Sequence, residues 1–185
     1  MSAIPHLSLI DNAMNKGKGA VVRQGMLTAR GDIRLFFDAD NSTSIDQFTN
    51  MLPYFAEKTH DVIIGSRAVR GAVLNPSQPW YRVFLGKGSN LIFQALLTPR
   101  IWDTQCGFKA FTATAAEKIF RRARVDGWGF DAEALALARR FGFAIKEIPV
   151  HWANSPFSHV RPSAYLKVLS ETITIRLWLW KGEYD

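Results

Sequence analysis

The sequence has only one cysteine, Cys106, among its 185 residues. A lone thiol excludes the disulfide frameworks of small secreted proteins and favours a reducing, cytoplasmic compartment. Long apolar runs are scarce too: residues 164–180 form the most apolar stretch, yet they include Lys167, Glu171 and Arg176. A membrane-spanning helix needs about 20 mostly apolar residues, so none is predicted. The opening residues lack the basic and apolar regions of a signal peptide, so we expect no cleaved leader.

Repeats, low-complexity segments and Pro/Gly/Ser-rich linkers are also lacking, which favours one domain over residues 1–185. Apolar residues make up 48% of the chain and charged residues 21%, which allows a hydrophobic core to form. Lys and Arg number 23 against 16 Asp and Glu, for a net charge of +7. This excess favours an anionic partner, whether nucleic acid, acidic lipid or a phosphorylated metabolite.

Short apolar segments alternate with helical patterns along the chain. Strands are predicted at residues 33–37, 62–64 and 144–152. Helices are predicted at residues 44–58, 81–97, 114–122 and 131–141, the first and third from capping-box patterns that begin at Ser44 and Thr114. This alternation predicts an α/β layered domain with a mainly parallel sheet, in which ligands bind at the carboxyl ends of strands.

A C-terminal amphipathic helix is predicted at about residues 164–180. Its apolar side chains recur at helical spacing: Leu166, Leu169, Ile173, Leu177 and Trp180. Such a face usually packs on the rest of a domain. It also fits the surface of a membrane, where Trp178 and Trp180 would lie at the interface beside the basic Arg176 and Lys181. In that case the protein is cytoplasmic and peripheral.

Two carboxylates, Asp38 and Asp40, directly follow the predicted strand at residues 33–37. Mg²⁺ and Mn²⁺ favour oxygen ligands, and they commonly take one or two carboxylates together with phosphate oxygens of a substrate. The pattern therefore predicts a metal site that also binds a diphosphate. A solvated loop, in which Asp40 caps a turn, is the structural alternative.

Basic side chains near turns and element boundaries are candidates for phosphate binding. Lys16 and Lys18 alternate with glycines ahead of a predicted helix, whose first amides could also meet an anion; a mobile surface turn is the alternative. Arg67, Arg82 and Arg161 lie at strand or helix boundaries. Guanidinium groups bind phosphate oxygens in a bidentate fork and stay charged at any working pH.

Asp131 and Glu133 begin a predicted helix. Carboxylates in this position serve either as general bases or as groups that stabilise the start of the helix, and the sequence fits both roles. The chain has no zinc-ligand spacing and no recognisable nucleophile motif. We therefore expect neither a zinc site nor a Ser/His/Asp nucleophile elbow.

Six segments, taken in order, resemble one family. They are NKGKGAVVRQGM (15–26), GDIRLFFDADNST (31–43), VIIGSR (62–67), DTQCGFKAF (103–111), WGFDAEALALA (128–138) and EIPVHW (147–152). Together they resemble polyprenyl-phosphate glycosyltransferases of the family-two inverting type, most of all the dolichyl-phosphate β-glucosyltransferases. The similarity extends from about residue 12 to the end of the chain.

The resemblance implies a GT-A type fold, a nucleotide-sugar donor such as UDP-glucose, a divalent Mg or Mn ion and a polyprenyl-phosphate acceptor. It implies that Asp38 and Asp40 bind the metal and the donor diphosphate, and that Arg67 lies near the donor. The reaction would be a single inverting displacement at the anomeric carbon.

The acceptor side of the implied site involves residues further along the chain. Arg82 and Arg161 would bind the acceptor phosphate, and Asp131 is the candidate catalytic residue. Because that phosphate is already an anion at neutral pH, Asp131 is expected to position the acceptor rather than abstract a proton.

The chain differs from the family at its start. Family members open with a first βαβ portion that holds the nucleotide base, whereas here the resemblance begins only at about residue 12. We therefore expect an N-terminally truncated GT-A type domain. Two other functions stay open: a weakly active or inactive remnant that binds sugar nucleotide or a partner, and a basic nucleic-acid-binding module. The scatter of Lys and Arg along the chain argues against nucleic acid.

Overall fold

The computed structural model describes residues 7–75, 88, 90–153 and 162–185. The helices are α1 Lys18–Thr28, α2 Leu52–Ala56, α3 at residues 90–96, α4 Ala113–Phe120, α5 Phe130–Arg140 and α6 Pro162–Lys181, with a 3₁₀ helix at Ile45–Asn50. The strands are β1 Ile33–Phe37, β2 Val62–Ser66, β3 Val73–Asn75, β4 Phe108–Thr112, β5 Ile145–Pro149 and β6 His151–Ala153.

The main sheet has four strands in the order β1-β4-β2-β5. Strand β4 runs antiparallel to both of its neighbours, and β2 and β5 pair in parallel. Three strands thus share one direction, as predicted, and β4 alone runs the other way. Strands β3 and β6 form a separate parallel pair. Among the described residues β1 has a strand on one side only, and it is partly exposed, whereas β2 is buried along its whole length.

The core is divided by the alternation of side chains along the strands. Val62 and Ile64 of β2 face the layer of helices α1, α4 and α5, where they meet apolar side chains such as Leu135. Ile63 points to the opposite face and packs with Met51 near the start of α2. This two-sided burial explains the continuous apolar run at β2.

Strand β4 was not predicted from the residue pattern. Lys109 interrupts its apolar run, and a charged side chain argues against a buried strand. The structure nevertheless buries Lys109 completely, because its ammonium group meets the Asp131 carboxylate and the Cys106 carbonyl. Both the strand and its register therefore depend on a partner far away in the sequence.

The predicted helix at residues 44–58 is wrong as a single element. A 3₁₀ helix at Ile45–Asn50 precedes the short α2, and the Ser44 hydroxyl donates to the Asp46 carboxylate rather than capping the helix. Pro53, at the start of α2, explains the break, since proline has no amide hydrogen and is tolerated only in the first turn of a helix.

The starts of two other helices also differ from the predictions. Helix α4 begins earlier than the Thr114 capping box: Thr112 is its N-cap, and the Thr112 hydroxyl accepts from the Ala115 amide. Helix α5 has Gly129 as its N-cap, so Asp131 is not a cap. The predicted helix at residues 81–97 lies partly outside the described residues, which are helical at 90–96.

Helix α6 covers the segment predicted as amphipathic. Its predicted apolar face is exposed, however, whereas the packing interpretation expects it to be buried. Val168, Thr172 and Ile175 are its buried residues. The outer stripe, as we name the five apolar residues that define the predicted face, is 37% to 81% exposed: Leu166, Leu169, Ile173, Leu177 and Trp180. No helix in the described part of the chain is long and apolar enough to cross a membrane.

Candidate functional site

Asp38 lies immediately after β1, at the point where the strand ends. Its amide donates to the Gly107 carbonyl (3.0 Å), which fixes the turn beside the residues that lead into β4. A Cβ atom on residue 107 would lie 2.2 Å from the Asp38 Oδ2 atom, so only glycine leaves room for this carboxylate. The side chain remains 26% exposed and can reach a ligand.

Asp40 lies in the following turn and is exposed. Its Oδ1 atom accepts from the Ser42 amide (3.0 Å), and Asn41 adopts a left-handed backbone conformation with φ of 53°. The turn-capping role considered from the sequence is therefore present. It occupies one oxygen of the Asp40 carboxylate and leaves Oδ2 outside this contact.

Lys18 meets Asp38 directly. Its Nζ atom lies 2.6 Å from the Asp38 Oδ1 atom, and it also lies 5.1 Å from the centre of the Trp128 ring. Gly17, with φ of 92°, is the N-cap that turns the chain into α1 at this point. The structure thus places Lys18 and Asp38 at one site and leaves Lys16 exposed nearby in the sequence.

The first amides of α1 do not point into open space, in contrast to the anion site considered from the sequence. The Gly19 amide donates to the Asp126 carbonyl (2.9 Å), and the Ala20 amide makes a longer bond to the same oxygen. Positive charge beside Asp38 therefore comes from the Lys18 side chain rather than from the helix terminus.

Asp131 forms a buried ion pair with Lys109. The ammonium group donates to Asp131 Oδ1 and to the Cys106 carbonyl, and the two side chains are 0% and 6% exposed. Burial raises the pKa of Asp131 above its usual range, an effect that the Lys109 charge opposes. Across the β1–β4 pair, Lys109 lies opposite Phe36. Phe36 is two residues before Asp38 in the sequence. The Lys109–Asp131 pair therefore lies next to the strand that leads into Asp38.

The Glu133 carboxylate is buried and makes structural contacts within the protein. Its carboxylate accepts from the Arg124 and Val125 amides and from the Tyr184 hydroxyl. Burial raises the pKa of Glu133. These contacts join the start of α5 to the end of the chain, so the structure gives Glu133 no access to a substrate.

Arg67 follows β2 and is held by Asp103. Its Nε and NH2 atoms donate to the two Asp103 oxygens (2.8 and 2.9 Å), and its guanidinium lies 4.6 Å from the centre of the Trp152 ring. Glu147 in turn accepts from the Asp103 amide. One edge of the guanidinium fork is thus used within the protein, which leaves NH1 as the atom outside these bonds.

The sequence reasoning missed Lys109 and Asp103 as parts of this region. Both occur in the segment 103–111 that carries the family resemblance, but no local pattern in that segment indicates the roles of its charged residues. Arg82 and Arg161 lie outside the described residues.

The carboxylates fit a divalent cation that shares its ligands with a substrate. Asp38 and Asp40 each have one oxygen outside the contacts above, and oxygen is the donor that Mg²⁺ and Mn²⁺ prefer. No group of three or more His, Cys, Asp or Glu side chains that could hold a metal occurs within the part of the chain described. An ion held by Asp38 and Asp40 would therefore need further oxygen ligands, such as those of a bound substrate.

Two clefts of the described structure lie away from Asp38 and Asp40. A cleft of about 390 Å³ lies between residues 99–101 and the end of α5, and a second of about 270 Å³ lies between residues 124–127 and α6. Neither is lined by Asp38 or Asp40. Asp38 and Asp40 instead lie beside the partly exposed strand β1.

The fold is similar to that of solved structures of a glucosyl-3-phosphoglycerate synthase. Glucosyl-3-phosphoglycerate synthase of M. tuberculosis matches with a TM-score of 0.60 and 19% identity, over 94% of this chain and 57% of that one. A structure of the Mycobacterium tuberculosis enzyme in complex with Mn²⁺ and UDP-glucose matches with a TM-score of 0.56 and 17% identity, over 95% and 56% of the two chains. The predicted α/β fold of GT-A type is confirmed at the level of fold class.

Two curated relatives of this chain carry the same protein name. The chain is 37% identical to the dolichyl-phosphate beta-glucosyltransferase of Drosophila melanogaster over 161 residues, covering 84% of this chain and 48% of that protein. It is 32% identical to the Homo sapiens protein of the same name, covering 92% and 54%. The chain spans about half the length of the curated relatives it matches.

The profile of one family covers most of the chain. The glycosyl transferase family 2 profile matches residues 2–120, which include the turn that carries Asp38 and Asp40. The resemblance stated from the six sequence segments is therefore confirmed, and the chain belongs to glycosyl transferase family 2.

Proposed function

We propose that this chain supplies the metal-binding and diphosphate-binding side of an inverting transferase that moves glucose from UDP-glucose to dolichyl phosphate. One observation carries the proposal: two carboxylates follow the end of β1, and one of them is paired with Lys18. The names of the curated relatives support the donor sugar and the lipid acceptor.

Asp38 and Asp40 would hold a Mg or Mn ion, which neutralises charge on the departing diphosphate when it is bound. Lys18 would then exchange its partner, leaving Asp38 and meeting a phosphate oxygen of the donor. Its ammonium group is partly exposed and has three donors, so it can turn without breaking the fold. Lys16 would add positive charge near the same donor diphosphate.

On the acceptor side we assign Arg82 and Arg161 to the acceptor phosphate, as the family resemblance implies. We assign Arg67, whose NH1 atom lies outside the bonds to Asp103, to the donor side, as the family resemblance implies. Asp131 is assigned a positioning role, since its carboxylate is already occupied by Lys109 and the acceptor phosphate needs no base. The Lys109 Nζ atom lies 5.5 Å from the centre of the Phe36 ring, so the pair contacts the strand that leads into Asp38.

The test is calorimetric titration of the protein with UDP-glucose in the presence and absence of Mn²⁺. We expect binding that requires Mn²⁺ and that weakens at least about tenfold in Asp38→Asn and in Asp40→Asn, which corresponds to about 1.4 kcal/mol or more. Asp46→Asn is the matched control, because Asp46 is an exposed carboxylate of the next element with a local contact to Ser44. Binding that ignores both substitutions would overturn the assignment.

A second candidate is a chain that binds the sugar nucleotide without transferring glucose. The partly exposed β1, which has one strand neighbour among the described residues, favours it. A transfer assay with dolichyl phosphate separates the two: Mn²⁺-dependent binding with glucose transfer supports the enzyme, and binding without transfer supports the second candidate.

A further inference from the structure

The cleft of about 390 Å³ lies at the end of the sheet opposite to Asp38 and Asp40. Its wall includes Ile145, the first residue of β5, which pairs with Val62 at the start of β2. Strands β1, β2 and β5 share one direction, so Asp38, which follows the end of β1, is at the other end of the sheet. The cleft is therefore separate from the candidate site, and its volume is that of a pocket for a small molecule.

Two exposed arginines line the cleft. Arg100 lies in the turn that follows α3, and Arg139 lies in the last turn of α5. Neither forms an ion pair with any residue that the structure describes. No acidic side chain belongs to the described wall of the cleft, so the wall is positively charged. A concave site with charge of one sign attracts ligands of the opposite sign.

The acidic residues beside the cleft are engaged with backbone amides. Asp61 Oδ2 accepts from the Ala144 amide (3.0 Å). Glu147 accepts from the amides of Trp102 (2.8 Å) and Asp103 (3.0 Å). Neither of these carboxylates lines the cleft, so an anion there would meet the two guanidinium groups without an opposing carboxylate from the described wall.

Arg139 is held in place by the other side of the cleft. Its NH1 atom donates to the Pro99 carbonyl (3.0 Å), and this bond joins two elements that line the cleft. A basic residue in the last turn of a helix often binds the terminal carbonyls of that helix. Here the carbonyls of residues 137–139 already accept from backbone amides. The remaining donors of the Arg139 guanidinium are therefore available for the fork-like binding of a phosphate.

The backbone at Arg100 is strained. The Ile101 amide donates to the Thr98 carbonyl (3.1 Å), which closes a turn with Pro99 in the second position and Arg100, with φ of 67°, in the third. This is the pattern of a type II turn, whose third residue needs a positive φ and is normally Gly or Asn. Glycine would fit the turn better, so a long basic side chain at this position indicates a role for its charge.

We propose that this cleft binds a small organic phosphate, whose phosphate group is held by Arg100 and Arg139. Guanidinium groups bind phosphate oxygens in a bidentate geometry and keep their charge at any working pH. Phe143 and Ile145, which are half-buried in the wall, would pack against the organic part. The inference goes beyond the proposed transfer reaction, because the cleft lies away from Asp38 and needs neither donor nor metal.

The experiment is a phosphorus NMR titration of the full chain with phenyl phosphate and with inorganic phosphate, at low salt and without Mn²⁺. We expect both to bind, and phenyl phosphate to bind more tightly because its ring can pack on Phe143. In Arg100→Gln/Arg139→Gln both affinities should fall at least about tenfold, since hydrogen bonds to charged groups are lost.

Arg30→Gln/Lys58→Gln is the matched control. It removes two exposed cations from other parts of the chain, and Lys58, with φ of 53°, has the same left-handed backbone as Arg100. We expect it to bind both phosphates like the wild type.

A second pair of variants separates binding from folding. Arg100→Gly should be at least as stable to urea as the wild type, because glycine favours the left-handed conformation, and it should still bind phosphate more weakly. Lys58→Gly makes the same kind of change away from the cleft and should leave phosphate binding intact.

Three results would overturn the proposal. They are the absence of binding of either phosphate by the wild type, equal binding by the wild type and Arg100→Gln/Arg139→Gln, and binding that is lost in Lys18→Met instead, which would place the anion at the candidate site. Equal affinities for the two phosphates would overturn the contribution of the apolar wall. Because these titrations contain no donor or metal, their outcome is independent of the Mn²⁺-dependent UDP-glucose binding that tests the proposed function.

Discussion

Two lysine–aspartate ion pairs lie near the end of β1, and they differ in their exposure to solvent. Lys109 and Asp131 are 0% and 6% exposed, whereas Lys18 and Asp38 are 28% and 26% exposed. Water and salt screen the second pair, so its partners can be exchanged at little cost. The first pair has no such freedom, since separating two buried charges leaves each without solvation.

Because of this difference, the two lysine–aspartate ion pairs have different roles. The buried pair is part of the fold: it allows a lysine to occupy a central strand and holds β4 against α5. The exposed pair is part of the candidate site, where a cation and a diphosphate would compete with it. The contrast can be tested by removing one lysine at a time.

The largest effect is expected from Lys109→Met. Loss of the ammonium leaves the Asp131 carboxylate buried and unpaired, which should lower the free energy of unfolding by about 3–5 kcal/mol. Urea denaturation measures this. The double variant Lys109→Met/Asp131→Leu should recover much of the loss, because no charge is then left in the core. A loss below about 1 kcal/mol in the single variant, typical of a surface pair, would contradict the comparison.

An intermediate effect is expected at Asp103, whose partner Arg67 is partly exposed. Burial alone would raise the pKa of Asp103, but the Arg67 charge and hydrogen bonds lower it below its usual range. A carboxyl with a lowered folded pKa stabilises the protein above its unfolded pKa of about 3.9, and this stability is lost as the pH falls through the folded value.

Asp103→Asn should therefore cost about 1.5–3 kcal/mol at pH 7, the usual contribution of hydrogen bonds to charged groups. The difference from the wild type should shrink as the pH falls from the unfolded pKa of about 3.9 towards the lower folded pKa, below which Asp103 is uncharged in both states. Unfolding free energies over this pH range provide the measurement. A difference that does not change with pH would show that packing, and not the ion pair, holds Arg67.

The smallest effect on stability is expected from Lys18→Met, at about 1 kcal/mol or less. The main effect of Lys18→Met is expected on the affinities for ligands. Without the competing ammonium, Mn²⁺ should bind the free protein up to about fivefold more tightly, whereas binding of UDP in the presence of Mn²⁺ should weaken. Titration calorimetry measures both.

Lys16→Met is the matched control for this exchange, because Lys16 is exposed and forms no ion pair with any described residue. It should leave the affinity for Mn²⁺ alone unchanged. If Lys18→Met lowers the affinity for Mn²⁺, the ammonium does not occupy the place of the cation, and the exchange proposed for Lys18 is wrong.

The success of the sequence predictions depended largely on whether the interactions that form an element are local or connect residues distant in the sequence. The strands at β1 and β2 and the helix α5 were predicted because apolar runs and helical spacing are local signals. Gly142, with φ of 79°, ends α5 as expected for a glycine in a left-handed conformation. The helix at 44–58 was wrong because Pro53 limits α2 locally, a signal that was present in the sequence and overlooked.

The candidate site was predictable only in part. Asp38 and Asp40 follow a recognisable strand, and glycines mark the turn that carries Lys18. The roles of Lys109 and Asp103 were not predictable, because each depends on a partner more than 20 residues away. Which face of α6 would be buried was equally hidden, because both sides of the helix carry apolar residues.

The sequence by itself determined β1, β2 and α5, the pair of carboxylates and the excess of positive charge, since these follow from residue types and their spacing. Only the tertiary structure decided which of the charged side chains are enclosed and which meet water. That decision separates the fixed Lys109–Asp131 pair from the exchangeable Lys18–Asp38 pair, and it turns the outer stripe of α6 outward. The physical reason is that burial depends on elements distant in the chain, which no local pattern records.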